Sequence, residues 1–200
     1  MKHILVEGGD GLGKDSLIAG IRKNYRTENF VVRHFGKPPQ KFPEGVNPLQ
    51  YQFTCFSKEA ELLNYFRQFE KDEYNYYENI MIWNRTHLGE YVYGQMFRDQ
   101  DPEKLKKYIY EYELLNLLER DNTYLILLSA SNPEFFLSKE DGHSLSKKIN
   151  EKEKELKLFN DIYKLTSLDN KLKINVNIKN EFKSKEEVLS NVLDFIKPNN

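Results

Sequence analysis

The chain is poor in sulfur. Cys55 is its only cysteine, which excludes an internal disulfide and a cysteine-rich metal site and fits a reducing compartment. Its expected role is that of a small buried hydrophobe. A charge of one sign is also missing: 30 Lys and Arg stand against 31 Asp and Glu, for a net charge of −1. No general attraction to nucleic acid follows, and any anion site has to be local. Long apolar runs are absent too. The opening MKHILVEGGD has three apolar residues in a row before Glu7, where an export signal needs about 7 to 15 and a membrane helix about 20. A cytoplasmic protein without a membrane partner is expected. With no repeat, low-complexity block or linker, residues 1–200 are expected to form one domain.

What is present is a regular alternation. Short apolar runs at 3–8, 29–35, 79–85, 123–130 and 171–178 read as strands, and amphipathic stretches follow them at 15–26, 49–78, 87–97, 101–121, 147–167 and 184–197. Asp101 with Pro102, and Ser184 with Glu187 three residues on, mark helix starts. Strand–helix alternation around nearly continuous apolar strands implies an α/β fold with a five-stranded parallel sheet flanked by helices.

The first strand runs into GGDGLGKDS, residues 8–16. From Gly8 to Lys14 this is a complete phosphate-binding loop, whose backbone N–H groups at Gly8, Gly11 and Gly13 converge on phosphate at the start of a helix. Lys14 neutralises the outer phosphates. Asp15, however, stands where such loops carry a magnesium-ligating hydroxyl. Either Asp15 holds the metal, directly or through water, or it caps the helix while Ser16 supplies a hydroxyl toward an inner phosphate.

The stretch VEGGDGLGK resembles the E-G-x-D-G-x-G-K loop of thymidylate kinases in Glu7, Gly8, Asp10, Gly11, Gly13 and Lys14. Downstream, NRTHLGEYVYG resembles that family's second motif, with Arg85 and Tyr93 matching, and is closer still to the form found in phage thymidylate-kinase-like proteins. The resemblance implies a three-layer P-loop kinase fold with a small lid at about 138–150, ATP and Mg²⁺ as cofactors, and nucleotide substrates. It also implies a homodimer through helices beside the sheet. Arg85 would grip the acceptor phosphate in a guanidinium fork. Asp10 would meet the sugar hydroxyl or a metal-bound water, unless it is a simple turn residue.

Departures from the family pattern are informative. Asn84 replaces an aspartate and Asp15 replaces a hydroxyl, so the two exchanges together keep the number of acids near magnesium constant. Arg33, His34 and Lys37 stand where the family has an R-E-P stretch and are candidates for the acceptor phosphate or base. Because Leu12 leaves the loop without a second cation, Lys139, Lys147 and Lys148 are the lid candidates, with Gly142 as a bending point. Phe66 or Phe69 would stack on the acceptor base. Most other aromatics here, such as Tyr74, Tyr76 and Tyr77, read as core.

The leading expectation is a deoxynucleoside monophosphate kinase that moves the γ-phosphate of ATP to dTMP or a related acceptor. Lys14, Arg85, Asp15 and Lys139 are its expected catalytic residues, and Asp15 and Ser16 its metal ligands. A nucleoside kinase would need a base, for which Glu7 is placed. A kinase of modified bases in DNA lacks a basic stripe to support it. A nucleotide-binding interaction module without turnover rests on Asp15 and Asn84.

Overall fold

The structure, a computed structural model, describes residues 1–25, 30–36, 41–69, 79–117, 120–137, 144–178 and 180–197. The five apolar runs form one parallel sheet of β1 (Lys2–Glu7), β2 (Phe30–His34), β3 (Ile80–Asn84), β4 (Thr123–Ser129) and β5 (Lys171–Asn175), in the order β2-β3-β1-β4-β5. β1 and β3 are buried along their whole length, and β4 at all but Tyr124, because both faces are covered. Alternate residues feed two cores. Leu5, Met81, Trp83, Leu125 and Leu127 pack toward α2 (Pro48–Phe69), α3 (His87–Phe97), α4 (Pro102–Asn116) and α6 (Ile149–Leu165). Ile4, Val6, Ile80, Ile82, Ile126 and Leu128 pack toward α1 (Lys14–Asn24) and α7 (Lys185–Ile196). The result is the expected three-layer α/β arrangement.

Local signals hold where the chemistry is local. Asp101 accepts from Lys104 N at 2.8 Å to cap α4, and Ser184 accepts from Glu187 N at 3.0 Å to cap α7, each contributing about 1 kcal/mol. Other boundaries differ. α4 stops at Asn116, and Leu117 turns into the core as its C-cap. The run 171–178 divides: β5 ends at Asn175, and β6 (Asn177–Ile178) pairs antiparallel with β7 (Glu181–Phe182) in a separate ribbon. α2 ends at Phe69, and 70–78, with Tyr74, Tyr76 and Tyr77, lie outside the described residues. Between β4 and α6 a short α5 (Pro133–Leu137) is followed by 138–143, also outside them. Among the described residues no helix is long and apolar enough to cross a membrane.

Behind the sheet a polar knot ties three helices together. The fully buried Glu113 of α4 accepts from His87 Nε2 (3.0 Å) at the start of α3, and from the Thr166 and Ser167 hydroxyls and Ser167 N (2.8 Å) at the end of α6. Burial alone would raise the Glu113 pKa, but His87 and the two hydroxyls outweigh it and hold it at about 2. The strand order places the divergence of chain direction at the carboxyl end of β1, between β3 and β4. Open α/β sheets bind ligands at such points.

Candidate active site

At that end, β1 passes into the glycine loop and β3 into Arg85 and Thr86. Gly8 has φ 135°, and a Cβ there would run into the Leu128 carbonyl oxygen, so only glycine lets the loop lie against β4. Gly13, at φ 89°, is the N-cap of α1 and brings no side chain to it. The first N–H groups of the helix are therefore left without a side-chain cap. Of the two alternatives for Asp15, the helix cap is corrected here, because the cap position belongs to Gly13 and Asp15 lies in the first turn.

Lys14 is buried, and its Nζ donates to the carbonyl oxygens of Gly8 (2.6 Å) and Gly9 (2.8 Å) while lying 4.0 Å from Asp10. Burial lowers its pKa and the Asp10 carboxylate pulls it back up. Arg85 adopts φ 63°, a left-handed backbone that costs a non-glycine residue about 1–3 kcal/mol. Its N–H donates to Val6 O at 3.1 Å, and its guanidinium pairs with Asp10. Asp10 thus sits between two cations, Lys14 and Arg85.

The two departures from the family pattern touch each other. Asn84 Nδ2 donates to Asp15 Oδ1 at 2.7 Å and faces His34 Nδ1 at 3.0 Å. An amide nitrogen only donates, so His34 Nδ1 is the acceptor. Ser16 is exposed beside Asp15 on α1. Arg33 turns to Glu59 of α2, at 3.2 Å. Lys37, Lys139 and Gly142 lie outside the described residues, as does the Phe69 side chain. Lys147 and Lys148 are exposed just before α6.

Beside Arg85 opens a cavity of about 220 Å³, lined also by Phe35, Tyr51, Gln52, Cys55, Phe56, Thr86, Gly89, Glu90 and Tyr93. Sites for drug-sized ligands run to roughly 300–1,000 Å³, so this one suits a single base and sugar. Cys55, half-buried, is part of its wall. The structure does not bring Phe66 there. Its ring is exposed against Tyr65, about 15 Å along the α2 axis from Phe56. The aromatic residues that line the cavity are instead Phe35, Tyr51, Phe56 and Tyr93, with Phe35 and Phe56 5.2 Å apart between ring centroids.

Two further acids frame the site. Glu7 is buried at the end of β1, and its Oε1 accepts from Thr86 N (2.6 Å), Thr86 Oγ1 and Gly89 N (3.2 Å), at the N-terminus of α3. Burial raises its pKa against these bonds. Tyr93 donates to Glu155 Oε1 at 2.8 Å, and Glu155 Oε2 lies 3.7 Å from Lys152 Nζ. The Glu155 carboxylate sits 3.3 Å from where a Cβ on Gly9 would be, so α6 reaches under the loop. The sequence reads as a charged helix here. Lys152 and Glu155 in fact share its apolar stripe with Leu156, Phe159 and Tyr163, and that helical spacing was the available signal.

No protein-family model matches the chain, and no curated protein matches it. Solved structures do. The YorR protein from Bacillus subtilis, in complex with phosphorylated GDP, is 15% identical with a TM-score of 0.65, over 98% of this chain and 95% of that one. A thymidylate kinase from Ehrlichia chaffeensis is 12% identical with a TM-score of 0.61, over 98% of each chain. A thymidylate kinase from Candida albicans is 15% identical with a TM-score of 0.57, over 98% of this chain and 90% of that one. The fold is accordingly that of the thymidylate-kinase-like P-loop kinases.

Proposed function

We propose that the protein is a nucleoside monophosphate kinase, moving the γ-phosphate of ATP to the phosphate of a deoxynucleoside monophosphate. The observation that carries this reading is the double position of Arg85. It lines the cavity and pairs with Asp10 of the loop, which itself lies 4.0 Å from Lys14. Transfer between two phosphates brings anions together, and cations placed between them supply most of the rate. Arg85 grips the acceptor phosphate through its planar fork. Lys14, leaving the Gly8 and Gly9 carbonyls, neutralises the outer phosphates of the donor. Asp10, freed from Arg85, accepts from the sugar hydroxyl. Lys147 and Lys148 add positive charge from the lid side.

The residues present fit Mg²⁺. Asn84 Oδ1 is buried with no hydrogen-bond partner, on the amide that donates to the exposed Asp15, and the exposed Ser16 follows Asp15 on α1. These are hard oxygens, and Mg²⁺ is held by one or two such groups with water and phosphate completing its shell. When bound, the ion neutralises charge on the donor phosphates. A nucleoside kinase using Glu7 as base is less well supported, since Glu7 does not line the cavity and its Oε1 already holds the start of α3.

The similar structures include two thymidylate kinases and one protein solved with a phosphorylated guanine nucleotide, so the acceptor screen has to span the bases. Purified protein with ATP and Mg²⁺ is offered each common deoxynucleoside monophosphate, each nucleoside, or no acceptor. ADP formed only with monophosphates is the expected result. ADP formed with nucleosides, or equally without acceptor, contradicts the reading, and tight ATP binding without turnover makes the chain an interaction module.

A further inference from the structure

Two polar groups on the cavity wall have no part in the transfer. Gln52 is half-buried on α2 and Glu90 is buried on α3, one helical turn past Thr86. Glu90 Oε1 pairs with Arg98, which is buried beside it. Burial pushes the Glu90 carboxyl up, and the Arg98 guanidinium opposes that. A buried ion pair adds little stability over apolar side chains of the same volume. Stability therefore does not account for a carboxylate in a wall that also carries Phe35, Phe56 and Tyr93.

Resting on the kinase reading above, we propose that Glu90 and Gln52 read the acceptor base, and that the base they select is guanine. A carboxylate offers only acceptors, two lone pairs on each oxygen, so Oε1 can serve Arg98 and a base together, while the amide of Gln52 offers donors. The outer edge of guanine presents two adjacent N–H groups, at N1 and the 2-amino group, beside the O6 acceptor. The N–H groups match the two carboxylate oxygens, and O6 matches the amide. Thymine presents one N–H between two carbonyls, which sets a carbonyl oxygen against the carboxylate. Adenine and cytosine offer one amino group next to a bare ring nitrogen and satisfy half of the set. A wrong base leaves buried polar groups unpaired, and that rejects it far more strongly than shape does.

The test ranks dGMP, dIMP, dAMP, dCMP and dTMP, first as acceptors with ATP and Mg²⁺, and in parallel as ligands of the full chain by titration calorimetry. The expected order puts dGMP first and dTMP last, about 100-fold apart in kcat/KM, with dIMP, which lacks the 2-amino group, about tenfold below dGMP. In Glu90→Gln the advantage of dGMP over dIMP should collapse toward one. The dIMP comparison in the unaltered protein keeps the test sharp if that variant does not fold. Preference for dTMP over dGMP, or equal use of all five, overturns the guanine assignment and leaves the kinase reading standing. Turnover with none of them overturns the kinase reading instead, and the calorimetric order then decides the base by itself.

Discussion

Behind α3, the buried Glu113 takes hydrogen bonds on both oxygens, from His87 and Thr166 on one and from Ser167 on the other. In front of it, the equally buried Glu7 takes all of its bonds on one oxygen, and Oε2 has no hydrogen-bond partner. Burial pushes both pKa values up. At Glu113 the partners win and hold it at about 2, whereas at Glu7 burial wins. The difference separates a region built for stability from one built for work. The same contrast recurs at the loop, where Lys14 is lowered by burial and Arg85 sits on a strained backbone. Polar groups left short of partners are those free to change partner when a ligand arrives.

The contrast is most easily broken at Arg85. Arg85→Gly removes the cation and relieves the left-handed backbone, so phosphate transfer is expected to fall about 1,000-fold or more while thermal stability stays level or rises by about 1 kcal/mol. A loss of stability parallel to the loss of turnover would make Arg85 a structural residue. Glu113→Gln should do the reverse. It replaces a carboxylate that accepts from His87, Thr166 and Ser167 by an amide whose NH2 faces donors, and costs about 3 kcal/mol, which lowers Tm by about 6–12 °C for a chain of this size, with turnover at 25 °C kept. The sign of the pH dependence follows from the shift. A carboxyl lowered from 4.5 to about 2 in the folded protein contributes stability that is full above pH 4.5 and is lost as pH falls toward 2. Urea unfolding of the variant across that window should lack this loss.

A finer break lies at the exchanged pair. Asn84→Asp alone sets two carboxylates against each other where Asn84 Nδ2 now donates to Asp15 at 2.7 Å, and turnover at limiting Mg²⁺ should drop about tenfold. Adding Asp15→Ser should restore most of it, and failure of the double variant to recover removes the idea that the exchanges offset each other. The smallest effect is expected at Glu7→Gln. A raised carboxyl contributes stability that is full below 4.5 and is lost as pH rises through its folded value. An amide keeps an acceptor for Thr86 and Gly89 and has no proton to lose. Relative to the unaltered protein, the variant should gain about 1 kcal/mol between pH 5 and pH 8, read from unfolding midpoints.

The fold was legible in the sequence because its signals are local: apolar runs for buried strands, Asp101 and Ser184 for helix starts, glycines for the loop. The glycine loop was legible for the same reason, since Gly8 to Lys14 is one continuous stretch. The cavity beside Arg85 was not. Its walls come from α2 and α3, and which way α2 is turned decides that Gln52 and Phe56 face the cavity while Phe66 faces solvent. α2 carries apolar residues on several sides, so its pattern alone does not fix that rotation. Lys152 and Glu155 were hidden by charge, although their place on the apolar stripe of α6 marked them. The β6–β7 ribbon was missed because two-residue strands leave no periodicity to read.

The account turns on Arg85 joining a donor site to an acceptor site, and the most direct test follows the phosphate itself. ATP labelled in its γ-phosphate is incubated with Mg²⁺, the deoxynucleoside monophosphates and either the unaltered protein or Arg85→Gly, and the labelled products are separated. The account predicts label in a nucleoside diphosphate with the unaltered protein and almost none with the variant. Label released only as inorganic phosphate, or transferred equally well by both proteins, would contradict it.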